Sequence, residues 1–196
     1  METAVYILLG LTSVLGSAVI LWRAWALRWN KVVPSRIATA LEECRSRDDV
    51  KNLRAVCEKH PSPLGRLIRI ASDRLDWPKD ENQESLEVAA RHEIVHLERG
   101  LVALEVIVGI APLIGLVGTI AGMMTVFGNL GVTGLNDAAK LAEGIALILR
   151  ATLAGLLIAI PSLVFWSYYT KKVEVLAVEM ETMCDDFLRR QYRERK

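Results

Sequence analysis

The sequence has few cysteines, few histidines and almost no net charge, and these shortages exclude several classes of protein. Cys44, Cys57 and Cys184 are far apart and odd in number, so they form neither a disulfide framework nor the paired spacing of a zinc site. The formal net charge is +1, which removes the electrostatic case for binding nucleic acid. We therefore expect three reduced, structural thiols, no resident metal, no cofactor and no nucleic-acid partner.

Long uncharged stretches alternate with polar segments along the chain. Hydrophobic residues make up 52% of the 196 residues and charged residues 24%, which fits neither a pure membrane bundle nor an ordinary soluble domain. A transmembrane helix needs about 20 predominantly apolar residues. Only three stretches of that length are almost free of charge, and they begin near residues 3, 104 and 144. The sequence therefore predicts an all-α integral membrane protein with three transmembrane helices.

Basic residues flank these spans on one side. Arg23 directly follows the first span and Lys171 and Lys172 follow the third, whereas Glu2 precedes the first. The positive-inside rule then places the N-terminus in the periplasm and the C-terminus in the cytoplasm. Because no basic residue precedes the first apolar run, we expect it to remain as a span and not to be cleaved as a signal peptide. The predicted segments are a first span at 1–22, a cytoplasmic helical region at 23–100, a second span at 101–128, a periplasmic loop at 129–143, a third span at 144–170 and a cytoplasmic helix at 171–196.

The polar segment after the first span has a helical pattern. Apolar residues recur at three- and four-residue spacings over 36–57, prolines separate this stretch from a second helix at 64–75, and a Trp-Pro turn follows. From about Asn82 no breaker precedes the second span, so we predict one long helix that enters the membrane. The third span likewise continues past Tyr169, which predicts two transmembrane helices extended into the cytoplasm.

One motif in the polar segment has a catalytic interpretation. His92, Glu93 and His96 match HExxH, in which two histidines on one helical face bind zinc and the glutamate acts as general base. A catalytic zinc site also needs a third protein ligand. His60 is the only other histidine and lies upstream, beyond two prolines. The motif therefore favours a solvated or inter-subunit helical face, and an intramembrane zinc metalloprotease is the alternative of a different class.

The spans hold hydroxyl groups but no carboxylate at mid-membrane depth. An ionisable group in a membrane is a functional candidate, so its absence means that a partner must supply any proton carrier. Thr119 and Thr152 each have two interpretations: a hydrogen bond to a carbonyl of the same helix, or the lining of a polar path. Glu105 lies fourteen residues before Thr119 on roughly the same helical face, where it either loads protons or pairs with a cation.

Arg150 is the only cation inside the third span. It lies two residues from Thr152, so the two side chains occupy nearly opposite helical faces. We favour an arginine that snorkels to the outer surface or pairs with Glu143, Asp137 or another subunit. A role in ion selectivity is the minority alternative.

Small residues and prolines interrupt the apolar runs at positions that suit close helix packing. Small residues let helix backbones approach each other in lipid, and neighbouring helices must accommodate the carbonyl that a proline frees. We predict that these residues form the walls that pack subunits together and admit a partner's helix. They are Pro112, Gly115, Gly118, Gly122, Gly155 and Pro161.

Two blocks of the spans resemble the ExbB/TolQ/MotA proton-channel family, and within it the ExbB/TolQ branch. The first is APLxGLxGTxxGM in LEVIVGIAPLIGLVGTIAGMMTVF, and the second is A-T-x-x-G-L-x-x-A-I-P in GIALILRATLAGLLIAIPSLVFWSYY. Their order and spacing reinforce each other, and the resemblance covers about residues 101–169. The first hundred residues resemble the family only in layout.

The resemblance implies a homopentamer in the bacterial inner membrane and a channel subunit, not an enzyme. Its second and third spans would line a central pore around the single helix of an ExbD- or TolR-like partner, which brings a membrane aspartate. Proton flow through that aspartate would drive a TonB- or TolA-like energy transducer. TonB-dependent outer-membrane transport is the leading expectation, and a TolQ-like or gliding-motor role is the alternative. Thr119 and Thr152 fall on the family's pore-facing threonines.

Two positions depart from the family pattern. Many ExbB and TolQ proteins have a glutamate five residues before the second threonine, where this chain has Leu147. Arg150 occupies a position that is usually apolar. Both differences bear on how protons enter the channel.

Overall fold

The computed structural model describes Glu2–Thr133 and Ala138–Arg193, with the side chains of residues 2, 129–133, 138–141, 143 and 147 outside the description. The described backbone is helical apart from short connections. Three helices, α1, α7 and α8, are long and apolar enough to cross a membrane, which confirms the predicted all-α membrane class. The helices are α1 (Glu2–Ala26), α2 (Trp29–Val32), α3 (Ser35–Glu43), α4 (Asp49–Lys59), α5 (Pro63–Asp73), α6 (Lys79–Glu98), α7 (Leu101–Thr133) and α8 (Ala138–Arg193).

The chain divides into two compact units. Residues 1–23 and 100–168 form the first, which we call the span unit, and residues 24–99 and 169–196 form the second, the polar unit. Helix α8 contributes its first part to the span unit and its last part to the polar unit.

In the span unit, α1 and α8 both pack on α7. Val5 of α1 lies against Gly118 of α7, where an added Cβ would be 2.9 Å from the Val5 Cγ1. Val5, Leu9 and Ile114 form a buried cluster against which Ile158 of α8 packs. One face of each helix is used for these contacts, and many large apolar side chains on the other faces are exposed.

The backbones of α7 and α8 touch where both helices carry glycine. A Cβ on Gly155 would lie 2.6 Å from the Ala111 carbonyl oxygen, and one on Gly115 would lie 2.9 Å from the Ala151 carbonyl oxygen. No side chain fits at either position without moving a helix. Because lipid tails are as apolar as the side chains, close backbone packing is a main source of helix association in membranes.

In the polar unit, α3, α4, α5 and α6 follow one another and each packs on the next. Helix α5 begins with a side-chain cap, since the Gly65 N–H donates to Ser62 Oγ at 3.1 Å. Pro63 occupies the first turn, where its missing N–H leaves no helical bond unmade. The last part of α8 contributes a buried stripe at helical spacing, namely Tyr169, Val173, Leu176, Ala177, Met180, Cys184, Phe187, Leu188 and Gln191.

The three cysteines are buried as thiols in the polar unit. Burial raises the pKa of the Cys57 thiol to about 11. This thiol therefore stays protonated at neutral pH, where it is a poor nucleophile and a poor metal ligand. The environment of Cys57 suits the structural role expected for it.

The long helix predicted from about Asn82 into the second span is wrong, because the chain breaks between α6 and α7. Helix α6 ends at Glu98, and α7 begins at Leu101. Between them Gly100 has φ +86°, a left-handed conformation that glycine adopts without strain. An added Cβ on Gly100 would lie 2.9 Å from the Trp22 ring. The break at Gly100 is thus accompanied by packing against the Trp22 ring. Residue spacing in the sequence does not reveal such a contact.

The helix predicted over 36–57 is also two helices, since α3 ends at Glu43 and α4 begins at Asp49. The Asp49 carboxylate accepts hydrogen bonds from the backbone N–H groups of Ser46 and Arg45 at 2.9 and 3.2 Å. These bonds, with the Ser46 backbone bond the strongest cause, lower the pKa of Asp49. A polar side chain that bonds the preceding backbone thus ends one helix and starts the next.

The predicted periplasmic loop at 129–143 is shorter in the structure. Helix α7 continues to Thr133 and α8 begins at Ala138, so both helices enter the interval assigned to the loop. Asp137 lies outside the described residues.

Gly155→Ala should destabilise the span unit. The added methyl group would lie 2.6 Å from the Ala111 carbonyl oxygen, and overpacking of this kind costs about 1–3 kcal/mol. The matched control is Gly109→Ala, because a Cβ on Gly109 has nothing within 4 Å and alanine is favoured over glycine in helices by about 1 kcal/mol. Thermal unfolding of the full chain in mild detergent measures both variants. Equal unfolding temperatures would contradict the backbone contact.

Candidate functional site

Two hydroxyl groups meet where α7 and α8 touch. Thr119 Oγ1 donates to the Leu116 carbonyl oxygen of its own helix at 2.6 Å. Thr152 Oγ1 lies 3.4 Å from the Gly115 carbonyl oxygen and 3.5 Å from Thr119 Oγ1. The structure therefore brings together the two threonines that the sequence singled out. Thr119 makes the bond to its own helix and also faces the second hydroxyl.

The hydrogen-bonding capacity of this pair is only partly used. The Thr119 proton is donated to Leu116, which leaves lone pairs on the Thr119 oxygen to accept. The Thr152 proton has two acceptors at the long end of the hydrogen-bond range, so it is weakly held. Both side chains are half-buried in the protomer. Such a pair can accept a hydrogen bond from, or donate one to, a group on another helix.

The glycine contact makes this meeting possible. A Cβ on Gly115 would lie 3.0 Å from the Thr152 Cα, so any side chain at this position would push the two helices apart. Thr125 provides a useful comparison. Its Oγ1 donates to the Ala121 carbonyl oxygen of its own helix at 3.0 Å, and the residue is exposed. Among the residues that the structure describes, a hydroxyl in the same span but away from the contact thus bonds only locally.

Both prolines of the spans lie inside continuous helices. Pro112 is in α7 and Pro161 is in α8, and each removes the helical bond to the carbonyl four residues earlier. Directly after Pro161, the Ser162 Oγ donates to the Ile158 carbonyl oxygen at 2.8 Å. This side-chain bond reinforces the helix next to the position that the proline weakens.

The structure does not bring Glu105 or Arg150 to the threonine pair. Glu105 is exposed and lies about 21 Å from Thr119 along α7, at a rise of about 1.5 Å per residue. Arg150 is exposed on α8. The side chain of Glu143, its predicted partner, lies outside the described residues, as does that of Leu147.

The HExxH motif on α6 is held in an ion pair. Arg66 Nε donates to Glu93 Oε1 at 2.6 Å, and its Nη2 donates to the second carboxylate oxygen. This hydrogen bonding to Glu93 raises the pKa of the Arg66 guanidinium. Glu93 is buried, whereas His92 and His96 are exposed. The carboxylate is therefore occupied by an arginine and is not placed to activate a water between the two histidines.

Metal-binding groups are sparse in the part of the chain that the structure describes. Within it, no three or more His, Cys, Asp or Glu side chains are arranged to hold a metal ion. The catalytic interpretation of the motif thus gains no third ligand from the fold.

Sequence reasoning missed the residues of α8 that fill the glycine surface of α7. A Cβ on Gly122 would lie 2.6 Å from the Ile148 Cγ1, and one on Gly118 would lie 2.8 Å from the Ala151 Cβ. A signal was present, because Ala151 and Gly155 are four residues apart and form a small-xxx-small pattern. In the protomer, these glycines contact the chain's own helices.

Comparison with known families identifies the family of the chain. Residues 60–182, more than half of the chain, match the MotA/TolQ/ExbB proton channel family. The chain belongs to this family. The matched region includes α5, α6 and α7 and most of α8, and therefore includes both threonines. The family is one of membrane channels and not of enzymes.

Several curated relatives carry the same family name. The biopolymer transport protein ExbB of Helicobacter pylori (strain J99) is 39% identical over 87 residues, which are 44% of this chain and 60% of that protein. An ExbB homolog of Methanothermobacter thermautotrophicus is 28% identical over 145 residues, 74% of this chain and 51% of the homolog. The biopolymer transport protein ExbB of Aquifex aeolicus is 31% identical over 120 residues, 61% of this chain and 75% of that protein. The chain spans about half to three fifths of the length of the first two.

Glu93→Gln should destabilise the protein, and His92→Ala should not. The glutamine keeps the shape of the side chain but removes the charge that Arg66 binds, and hydrogen bonds to charged groups contribute about 1.5–3 kcal/mol. His92 is exposed, and surface substitutions usually change stability by less than about 0.5 kcal/mol. Chemical denaturation of the full chain in detergent gives both values. Stoichiometric zinc that is lost in His92→Ala would instead support the metalloprotease.

Proposed function

We propose that the chain is the ExbB-like subunit of an inner-membrane proton channel that works with a single-span ExbD- or TolR-like partner. Five copies surround the partner's helix. Protons cross the membrane on the partner's carboxylate, and the resulting rearrangement energises outer-membrane transport through a TonB-like transducer. The N-terminus is periplasmic and the C-terminus is cytoplasmic.

The observation that carries this proposal is a pair of hydroxyls at a helix contact in spans that have no carboxylate. Thr119 and Thr152 lie 3.5 Å apart. Residues 106–136 and 144–173 contain neither Asp nor Glu. A hydroxyl can orient or relay a proton, but it does not ionise near neutral pH and cannot carry the proton as a charge. A membrane carboxylate from a second chain supplies the missing group.

The exposed apolar surface of α7 and α8 supports an assembly with further helices. Lipid covers part of this surface, and in the proposed pentamer the other copies and the partner cover the rest. The ring of five is taken from the family resemblance. The exposed side chains include Leu113, Leu116, Val117, Ile120, Leu153, Leu156 and Ile160.

The orientation rests on the charges at the ends of the spans. Arg23, Lys171 and Lys172 follow the first and third spans, and cytoplasmic flanks carry an excess of basic residues. In this orientation the polar unit is cytoplasmic. Protons that move inward across the membrane then reach the side of the polar unit last.

The process that is powered depends on the partner. Relatives from Helicobacter pylori and Aquifex aeolicus are named biopolymer transport proteins, which favours a transport role for this chain. A TolQ-like or gliding-motor role uses the same channel and differs in the partner and the transducer.

Replacing both threonines by valine should abolish proton transport while leaving the assembly intact. Valine keeps the branched shape but removes the two oxygens that meet at 3.5 Å. We expect the Thr119→Val, Thr152→Val variant, reconstituted in vesicles with its single-span partner, to lose potential-driven proton uptake reported by an internal pH dye. The chain without a partner should give no uptake.

The matched control is Thr125→Val, which removes a hydroxyl that donates to the Ala121 carbonyl oxygen of its own helix. This control should keep the uptake of the unaltered protein. Uptake by the double variant equal to that of the control would overturn the role of the pair. Uptake by the chain alone would show that the carrier is not the partner's.

A further inference from the structure

One face of α1 lies along α7 and α8, whereas many of the other side chains of α1 are exposed. Val5 and Leu9 of this face form a buried cluster with Ile114 of α7, and Ile158 of α8 packs against the cluster. Further along α1, a Cβ on Gly16 would lie within 3.6 Å of side chains from both α7 and α8. Helix α1 therefore occupies a groove between the other two spans.

Val5 lies at the level of the contact that brings the two threonines together. A Cβ on Gly118 would lie 2.9 Å from the Val5 Cγ1 and 2.8 Å from the Ala151 Cβ. Gly118 thus leaves a notch in α7, which Val5 of α1 and Ala151 of α8 fill from two sides. Thr119 directly follows Gly118, and Thr152 directly follows Ala151. The two residues that Val5 meets are therefore the chain neighbours of the two threonines.

The threonines lie on the other side of the α7–α8 contact from α1. Gly115 of α7 faces α8, and its added Cβ would touch the α8 backbone. At 3.6 residues per turn, Thr119 lies about 40° from Gly115 around α7, and Gly118 lies about 60° from it in the opposite direction. The alanine and the threonine of α8 flank Gly155 in the same way. Val5 therefore influences the hydroxyls through the two helix backbones that carry them.

The hydrogen bonds of the pair are too weak to fix the rotation of the two helices. The Thr152 Oγ1 lies 3.4 and 3.5 Å from its two acceptors, at the long end of the hydrogen-bond range. Helices in lipid gain little from apolar burial and depend on close packing of their shapes. A side chain that fills the notch on one side of the contact limits the rotation of α7 against α8. Rotation of either helix would separate the hydroxyls.

We propose that Val5 is a positioning residue. By filling the notch at Gly118, it holds α7 and α8 in the rotation at which Thr119 and Thr152 meet. The first span is then more than an anchor, because it sets the alignment of a site that the other two spans build. The consequence for proton transport rests on the proposed function, whereas the alignment of the two threonines does not.

Cross-linking between the two threonine positions measures this alignment. In a chain whose native cysteines are replaced by alanine, Thr119→Cys and Thr152→Cys place two sulfur atoms where hydroxyls lie 3.5 Å apart. Val5→Ala removes both γ carbons from the notch. Because deletion of two buried methyl groups shifts an equilibrium by about tenfold, we expect the disulfide within one chain to form about tenfold more slowly. The protein is oxidised in vesicles for increasing times and separated on a non-reducing gel.

The matched control is Val14→Ala, which makes the same change on α1 at a valine that is 68% exposed. It should cross-link at the unaltered rate, and so should Val5→Ile, which keeps both γ carbons. Thermal unfolding in mild detergent shows whether each variant is folded at the temperature of the reaction. Equal rates for the two alanine variants, whether slowed or not, would overturn the proposal.

Proton uptake tests the consequence for transport. In vesicles that contain the single-span partner, and with both threonines in place, Val5→Ala should lower potential-driven uptake by about the factor by which it slows cross-linking. Val14→Ala should leave the uptake unchanged. Slower cross-linking with undiminished uptake would contradict a role of Val5 in transport. If the unaltered chain and its partner gave no uptake, the proposed function would fail, and the cross-linking rates would still decide whether Val5 aligns the pair.

Discussion

The close contact between the backbones of α7 and α8 is the interaction on which the span unit depends. At Gly115 and Gly155 no side chain separates the helices, so the carbonyl oxygens of Ala151 and Ala111 lie against the opposite backbone. Contacts of this kind allow weak Cα–H···O bonds, which suit a medium that offers no hydrophobic driving force between helices. The contact fixes the register of the helices, and the register in turn brings the Thr152 hydroxyl to α7.

The register also explains why the proposed channel requires a partner chain. It places two hydroxyls together in an apolar layer, where they can orient a proton but cannot hold it as a charge. The carboxylate that a proton channel requires is absent from residues 106–136 and 144–173. In the proposed channel the chemistry is divided between two chains: this one positions the polar groups, and the partner carries the proton and selects the process. For that reason the residues indicate a family more readily than a process.

Sequence alone predicted the features that follow from long apolar runs and from residue type. Three long apolar runs predicted the three membrane helices, and the residue types marked Thr119 and Thr152 as candidates. Their meeting was not predictable, because it depends on the register between residues 33 positions apart. The break at Gly100 was missed because a single glycine is tolerated in a helix, and neither its left-handed conformation nor the packing of Trp22 beside it is visible in the residue spacing. The glycines were assigned to contacts between subunits, since the same small residues suit contacts within a chain equally well.

Cysteine cross-linking tests the central contact most directly. A Cβ on Gly122 would lie 3.4 Å from the Ile148 Cβ, close to the separation of about 3.5–4.5 Å in disulfides. With Cys44, Cys57 and Cys184 replaced by alanine, the Gly122→Cys, Ile148→Cys chain is oxidised in its membrane and separated on a non-reducing gel. We predict a cross-link within one chain, seen as a monomer of altered mobility. A disulfide-linked dimer as the main product would contradict the account, because the glycine surface would then face a neighbouring subunit.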